Sequence, residues 1–255
     1  MTEDLRCIFL NSNPTFRKRR GFESLLTIQL KSFIWPENTK DARTIQASLK
    51  DKIKIIPLKK EPKFIAGVDA AFSDDKIIAV ACIYHYPALT PIEDAFAVAA
   101  VTFPYIPGFL SFREGPAIIE ALKRLKNKPD VILFDGQGIA HPKGLGIASH
   151  IGVLLALPTI GCAKSRLVGE YKEPETKKGA WSPLWFHDNV VGAVFRTKDN
   201  VRPLFISPGH KIDLQASIDI VLNCSTEYRL PEPLRRADIL SKRIKRDQKD
   251  SGDLN

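Results

Sequence analysis

The stretch VILFDGQGIAHPKGLGIASH, residues 131–150, decides the fold class of this chain. Its first four residues are an apolar run, which predicts a short strand buried on both faces. Asp135 follows where this strand stops, and the loop after it contains Gly136, Gly138, Gly144 and Gly146. Glycine permits positive φ and a close approach of the backbone to a ligand. A carboxylate at the end of a buried strand, beside such a loop, predicts a functional site.

Composition limits the classes of protein to which this chain can belong. With 255 residues and 44% hydrophobic residues, the chain can bury one sizeable core, which predicts a globular protein rather than a disordered one. An excess of 38 Lys+Arg over 29 Asp+Glu gives a formal net charge of +9. This charge favours a polyanionic partner such as nucleic acid. No run of apolar residues is long enough to predict a membrane span.

The cysteines and the chain start bear on location. Cys7, Cys82, Cys162 and Cys224 are widely separated, and no CxxC is present. This pattern is typical of small core residues in a reducing compartment. The chain start has no apolar signal-peptide region. We therefore expect a cytoplasmic protein, or a nuclear one in a eukaryote, with no membrane association and with a monomer as the default state.

The predicted strands indicate an α/β fold with a mixed sheet flanked by helices. Runs at 64–72, 76–84 and 93–101 are separated by short polar turns, so they predict three antiparallel strands. Parallel strands are expected to follow at 131–134 and 158–162. A further strand pair is predicted at 190–196 and 204–207.

Apolar spacing predicts the helices between and after these strands. They are expected at 38–52, 111–126, 145–155, 213–224 and 234–246. Residues 169–187 are predicted to form a charged excursion on the surface, and 207–210 a loop.

One domain is expected at 37–246, preceded by an N-terminal extension at 1–36 and followed by a C-terminal tail at 247–255. The basic cluster FRKRR at 16–20 fits a phosphate contact or a nuclear address. A solvated or partly disordered arm is the favoured interpretation of this cluster.

Three further acids are placed where they could meet Asp135. Asp69 lies among apolar residues of the first strand, where a carboxylate is costly unless it is paired or bound to a metal. Glu114 falls in the helix at 111–126, and Asp238 falls in the last helix. Acids meeting from such elements would form an oxygen cage suited to Mg²⁺, which could neutralise charge on a phosphodiester. Lys164, just past a strand, could stabilise the same charge.

Each of these residues also has a purely structural interpretation. Asp69 could be a hydrogen-bonded strand residue, and Lys164 a solvated surface cation. Ser111-x-x-Glu114 fits a capping box, in which Glu114 serves only the helix start. Asp238 could be a solvated helix residue paired with the lysine four residues later. Zinc is disfavoured because carboxylates predominate and no cysteines have zinc-ligand spacing.

Several long strings between Asp69 and Arg246 resemble the endonuclease V family. They are GVDAAF at 67–72, PYIPGFLSFRE at 104–114, DGQGIAHPKGLGIASHIG at 135–152, GCAKSRL at 161–167 and SPGH at 207–210. Strings of this length in a fixed order are far more specific than a single glycine motif. The resemblance implies a ribonuclease H-like fold. It also implies an enzyme that nicks one strand of nucleic acid at the second phosphodiester bond 3′ to hypoxanthine, the base formed when adenine is deaminated.

The resemblance assigns roles to the acids and the lysine, position by position. Asp69 and Asp135 match the metal-binding aspartates, and Glu114 matches the helix-borne carboxylate of the same site. Asp238 matches a fourth position where members carry Asp or His. Lys164 matches the catalytic lysine. Mg²⁺ is the implied cofactor, and Mn²⁺ is expected to substitute for it.

The resemblance also implies residues that handle the base. Tyr105 matches a wedge that separates the lesion-bearing base from its neighbour, in the PYIP string of Pro104, Tyr105, Ile106 and Pro107. Such a stiff aromatic can replace lost base stacking. The extruded base is expected to enter a pocket where the amides around Gly136 and Gly138 accept hypoxanthine and reject adenine. Further lining residues are Leu110, Ile147 and Leu167, and His141 either contacts phosphate or is a loop hydrogen-bonder.

The favoured function is a Mg²⁺-dependent endonuclease acting on inosine in single- or double-stranded DNA or in RNA. Such an enzyme would act in the repair of deaminated adenine or in the processing of inosine-containing RNA. Two alternatives stay open. One is a ribonuclease H-like nuclease or junction resolvase without inosine specificity, and the other is a non-catalytic nucleic-acid binder. The sequence does not show whether DNA or RNA is the main substrate, because it does not reveal a contact with the 2′-OH group.

Overall fold

The computed structural model describes residues 33–252, with side chains up to residue 248. The predictions for the basic cluster at 16–20, for most of the extension and for residues 253–255 lie outside the described residues. Trp35, which the sequence analysis assigns to the extension, packs against Phe112 and His150. Within residues 33–252, no helix is long and apolar enough to cross a membrane.

One mixed sheet of eight strands forms the centre of the fold, in the order β3-β2-β1-β4-β5-β8-β7-β6. β1 to β3 form an antiparallel meander, and β4 and β5 run parallel to β1. The predicted α/β fold, with three antiparallel strands followed by parallel strands, is confirmed. The strands are β1 (Phe64–Ser73), β2 (Lys76–His85), β3 (Thr90–Ala100), β4 (Val131–Phe134), β5 (Thr159–Ala163), β6 (Trp181–Phe186), β7 (Asn189–Phe195) and β8 (Leu204–His210).

Helices cover both faces of this sheet. They are α1 (Thr39–Lys50), α2 (Leu110–Lys123), α3 (Ile147–Leu155), α4 (Leu214–Asn223) and α5 (Glu232–Gly252). Asn38 caps α1, because its side chain accepts a hydrogen bond from the Asp41 amide. α5 continues past Arg246, where the sequence predicts its end.

β4 is enclosed on every side. All four of its residues are buried, and β1 and β5 flank it in parallel. Ile132 and Phe134 pack with apolar side chains of α2 and α3. Val131 and Leu133 pack with α4 and the first turn of α5 on the other face. Burial on both faces explains why this strand is a continuous apolar run.

α5 reaches the sheet at Gly67 in β1. A Cβ at this position would lie 2.2 Å from the backbone carbonyl carbon of Pro233, so only glycine allows the close approach. The contact places the first turns of α5, which contain Asp238, over the strand that carries Asp69.

Two predicted loops are strands instead. Residues 181–186, inside the predicted surface excursion, form the edge strand β6, paired with β7. An edge strand tolerates Pro183 because one side of it needs no ladder hydrogen bonds. Residues 207–210 continue β8 and pair with β5, as in the register Thr159↔His210. Gly209 is required there for packing, since its Cβ would lie 2.3 Å from Thr159 Oγ1.

Candidate active site

Asp69 and Asp135 meet because their strands are parallel neighbours. The register pairs Val68 with Phe134, the residues directly before the two acids. The Asp135 amide also donates to the Val68 carbonyl at 3.3 Å. β4 ends at this point, so the backbone turns away and leaves the Asp135 side chain half-buried beside Asp69.

Asp238 joins these two acids from the second turn of α5. Carboxylate oxygens of Asp69, Asp135 and Asp238 all lie within 4.8 Å of one another. One turn further on, Ser241 Oγ donates a 2.5 Å hydrogen bond to Asp69 Oδ2. Ser241 was missed by the sequence analysis, although its position three residues after Asp238 places it on the same helix face.

Glu114 is the fourth predicted acid and lies beside the other three rather than within their group. It is 8% exposed. Burial is the main cause that raises the pKa of Glu114 to about 8, and the charges of Asp69 and Asp135 add to it. Glu114 is therefore close enough to Asp69 and Asp135 for their charges to act on it.

The capping-box interpretation of Glu114 is wrong. α2 begins at Leu110, its N-cap residue is Phe109, and no side chain caps it. The Ser111 hydroxyl instead lies 2.8 Å from His150 Nδ1, a residue of α3 that is 39 positions away. Sequence spacing fitted a local motif, but the hydroxyl has a buried long-range partner.

Two lysines compensate the acid cluster. Lys164 Nζ lies 2.5 Å from Asp135 Oδ2 and 2.9 Å from Asp238 Oδ1. Lys242 Nζ lies 2.6 Å from Asp238 Oδ2. Lys164 is exposed, as a solvated surface cation would be, but it is also paired with two acids of the cluster. Asp238 has both the predicted i,i+4 partner and a contact with the cluster.

Protonation in the cluster is set by burial and by these cations. Burial raises the pKa of Asp69 to about 6, and the hydrogen bond from Ser241 opposes that shift. Burial would also raise the pKa of Asp238, but hydrogen bonds from Lys242 and Lys164 lower it below its ordinary value. Burial disfavours the Lys164 ammonium, yet its contacts with Asp135 and Asp238 raise its pKa to about 12.

The donor set fits a hard divalent cation. The three converging groups are carboxylates, and hard oxygen ligands suit Mg²⁺ or Mn²⁺ better than zinc. Among the described residues, the group contains neither histidine nor cysteine. The chemistry of the donors therefore agrees with the sequence prediction of an oxygen cage.

The PYIP string forms a protruding turn before α2. Tyr105 is 69% exposed. Pro104 and Pro107 are also exposed, while Ile106 is half-buried against an aromatic cluster that contains Phe103, Phe109 and Phe112. An exposed aromatic on an anchored, proline-flanked turn is physically suited to stack on a base.

The glycine loop is packed more tightly than the sequence suggests. The Gly138 amide donates to Ser207 Oγ at 2.7 Å, and the Gly136 amide donates to the Phe134 carbonyl at 2.9 Å. A Cβ at Gly138 would lie 2.1 Å from the Pro208 carbonyl oxygen. These two amides thus have partners within the protein, and the pocket predicted from the amides around them stays a prediction.

The other predicted pocket residues differ in exposure. Ile147 is buried and contacts Gly136, Leu110 is half-buried, and Leu167 is 48% exposed. His141 is buried, and its Nδ1 accepts a hydrogen bond from the Lys143 amide. Burial lowers the pKa of His141 to about 4, so the ring is neutral at neutral pH.

Two further residues hold the loop that carries Lys164, and neither was found from sequence. Gln137 Nε2 donates to the Ser165 carbonyl at 3.1 Å. Arg229 Nη2 donates to the Lys164 carbonyl at 2.8 Å. Their partners are 28 and 65 positions away, so no local spacing could have indicated them.

The class of protein follows from the sheet and the cluster together. An acid within one strand and an acid just after its parallel neighbour, joined by an acid from a C-terminal helix, define a nuclease of the ribonuclease H-like fold. Comparison with known proteins narrows this class. Residues 47–239 match the family model described as Endonuclease V.

Relatives agree with the family model. Endonuclease V of Dictyoglomus turgidum (strain DSM 6724 / Z-1310) is 52% identical over 200 residues, which cover 78% of this chain and 88% of that protein. The crystal structure of Endonuclease V from Streptomyces avermitilis is 38% identical, with a TM-score of 0.81 over 84% of this chain and 96% of that one. Ciona intestinalis Endonuclease V, in complex with a 24mer DNA containing an inosine followed by a ribo-adenosine, is 26% identical, with a TM-score of 0.73 over 83% of this chain and 99% of that one. The chain belongs to the Endonuclease V family.

Proposed function

We propose that this protein is a divalent-metal-dependent endonuclease that nicks a nucleic-acid strand at the second phosphodiester bond 3′ to inosine or deoxyinosine. Mg²⁺ is the proposed cofactor, with Mn²⁺ as a substitute. The observation that carries the proposal is the convergence of Asp69, Asp135 and Asp238 oxygens within 4.8 Å. Family membership and the inosine-containing DNA bound by the Ciona relative support the substrate.

Asp69, Asp135 and Asp238 would hold the cation, with Glu114 as a further carboxylate beside them. When bound, the cation would supply positive charge for the scissile phosphate and lower the pKa of a water molecule. Glu114 has a raised pKa, so it must release its proton before its oxygens can serve as ligands. The hydrogen bond from Ser241 keeps one Asp69 oxygen fixed and favours its ionised form.

Lys164 is proposed to stabilise negative charge rather than to accept a proton. Its raised pKa keeps it protonated at neutral pH, so it cannot take a proton from an attacking water. Its ammonium lies against both Asp135 and Asp238. A phosphate oxygen that approaches these acids would therefore also come within reach of this charge.

Tyr105 is proposed to enter the base stack next to the lesion. Replacing one base by an aromatic side chain recovers about 1–3 kcal/mol of stacking. Extrusion of a base costs a few kcal/mol, which is least where the base is mismatched or the strand is single. The prolines on either side restrict the backbone of this turn, which lowers the conformational entropy that stacking costs.

The test compares matched strands that differ only at one position. Single-stranded DNA and RNA, each with one inosine or one adenosine, are incubated with excess protein in Mg²⁺, and the products are sized. We expect the inosine strands to be nicked at the second phosphodiester bond 3′ to the inosine. The adenosine strands should not be nicked, and no strand should be nicked in EDTA.

Asp135→Ala and Asp75→Ala are the matched variants. Asp75 lies in the exposed β1–β2 turn, so its variant should nick like the wild type. Asp135→Ala should bind the inosine strand without nicking it. Equal nicking of adenosine strands would favour a nuclease without inosine specificity. Binding with no nicking by the wild type under any metal condition would favour a non-catalytic binder.

A further inference from the structure

A cleft lies beside the wedge, between α1 and the loop at 141–143. It has a volume of about 290 Å³, and its lining includes Arg43, Gln46, Gly108, His141 and Lys143. We refer to it as the α1 cleft. Among residues 33–248, no acidic side chain lines it. It is separate from the acid cluster, none of whose residues it contains.

The floor of the α1 cleft is joined to the wedge. Gln46 is 3% exposed, and its Nε2 donates to the Gly108 carbonyl at 3.1 Å. His141 also lies against Gly108, since a Cβ at Gly108 would be 3.8 Å from His141 Nε2. Gly108 has a φ of 84° and follows the PYIP string directly, three residues after Tyr105. The polar floor therefore contacts the same turn that carries the exposed aromatic.

The rim of the α1 cleft carries positive charge that no acid balances. Arg43 and Lys143 are exposed, and within residues 33–248 neither forms a salt bridge. Lys50 lies two helical turns after Arg43 on α1 and contacts the same loop, since a Cβ at Gly144 would be 3.2 Å from the Cε of Lys50. By contrast, the cations near the acid cluster, Lys164 and Lys242, are both paired with carboxylates. Unpaired cations around a concave polar site favour a phosphate.

We propose that the α1 cleft is a nucleotide subsite, which holds one phosphorylated nucleoside unit of the substrate strand adjacent to the wedge. Arg43 and Lys143 contact its phosphate, and the polar floor contacts its base or sugar. This inference depends on the proposed function. A nucleic-acid strand is favoured over an acidic protein segment because the cleft continues directly into the base-stacking turn. Phosphate contacts at such a place fix the register of the strand and leave base selection to the pocket.

The double variant Arg43→Ala/Lys143→Ala tests the subsite. Dissociation constants for a single strand with one inosine are measured in EDTA, where no nicking occurs, across a series of salt concentrations. We expect affinity to fall by about tenfold to a hundredfold, with the salt slope reduced by about 0.7 to 1.4, as expected for one or two lost contacts on single strands.

Lys52→Ala/Lys59→Ala is the matched control. It removes the same charge from exposed positions outside the α1 cleft and should bind like the wild type. Strands shortened one nucleotide at a time should reach a length at which the wild type and the double variant bind equally. An equal loss in the control, an unchanged affinity, or a loss that persists on every shortened strand would overturn the subsite. Absence of inosine-dependent nicking by the wild type would refute the proposed function instead.

Discussion

Replacing Glu114 by Gln is expected to stabilise the metal-free protein at neutral and alkaline pH. The Glu114 carboxyl is buried beside Asp69 and Asp135, and its pKa is raised from 4.5 to about 8. Because the folded state holds this proton more tightly than the unfolded state, the stability is fully present below pH 4.5 and is lost as the pH rises towards 8. Gln has nearly the same shape and no charge, so it escapes this loss.

The size of the effect follows from the pKa difference. At about 1.4 kcal/mol per pKa unit, ionisation of this carboxyl in the unfolded state lowers the free energy of unfolding by roughly 3–5 kcal/mol at pH 7.5 to 8. Glu114→Gln should therefore be more stable than the wild type by this amount at pH 8 and by nearly nothing at pH 4.5. Asp69 titrates in both proteins, so its contribution largely cancels in the difference.

Urea unfolding in EDTA between pH 4.5 and 8.5 measures this difference. Glu120→Gln is the control, because Glu120 lies on the same helix but its side chain is 46% exposed beside Lys123 and Arg124. It should show no pH-dependent gain. Mg²⁺ should stabilise the wild type more than Glu114→Gln, since the ion binds the ionised acids. A variant that is less stable than the wild type at pH 8, or a difference that does not change with pH, would refute the reasoning.

Two further variants test the wedge and the glycine loop. Tyr105→Ala removes an exposed ring, so the free energy of unfolding should change by less than about 0.5 kcal/mol, while affinity for an inosine strand should fall about fivefold to a hundredfold from lost stacking. Tyr105→Phe should retain the affinity, and a loss of folding stability in Tyr105→Ala would contradict the exposed placement. Gly138→Ala places a methyl group 2.1 Å from the Pro208 carbonyl oxygen, so unfolding in urea should show a loss of about 1–3 kcal/mol or more. Near-wild-type stability of Gly138→Ala would contradict the packing of this loop.

Local patterns were sufficient to predict the centre of the fold. The apolar run at 131–134 predicts β4 because a strand covered on both faces needs no polar alternation. Asp69 and Asp135 were recognised from their position in or after such strands, and parallel pairing then brings them together without further information. The polar turns between β1, β2 and β3 predicted the meander for the same local reason.

Partners distant in sequence account for the errors. Ser111 fits a capping box by spacing, but its hydroxyl contacts His150. Gly138 looked like a free donor, but its amide bonds Ser207, which is 69 positions away. β6 was missed because Pro183 and the charged residues before it are typical of loops, whereas its pairing with β7 depends on the whole sheet. Gln46, Gln137 and Arg229 were missed for the same reason.

The nicking rate of Asp135→Ala in Mg²⁺ tests the central claim most directly, because this residue contributes an oxygen to the cluster and pairs with Lys164. The substrate is a single strand with one inosine, at saturating protein, where binding differences no longer affect the rate. We expect the variant to bind the strand yet to nick it at least a thousandfold more slowly than the wild type, which corresponds to about 4 kcal/mol in activation free energy. A rate within tenfold of the wild type would contradict the claim that these acids hold the cation on which nicking depends.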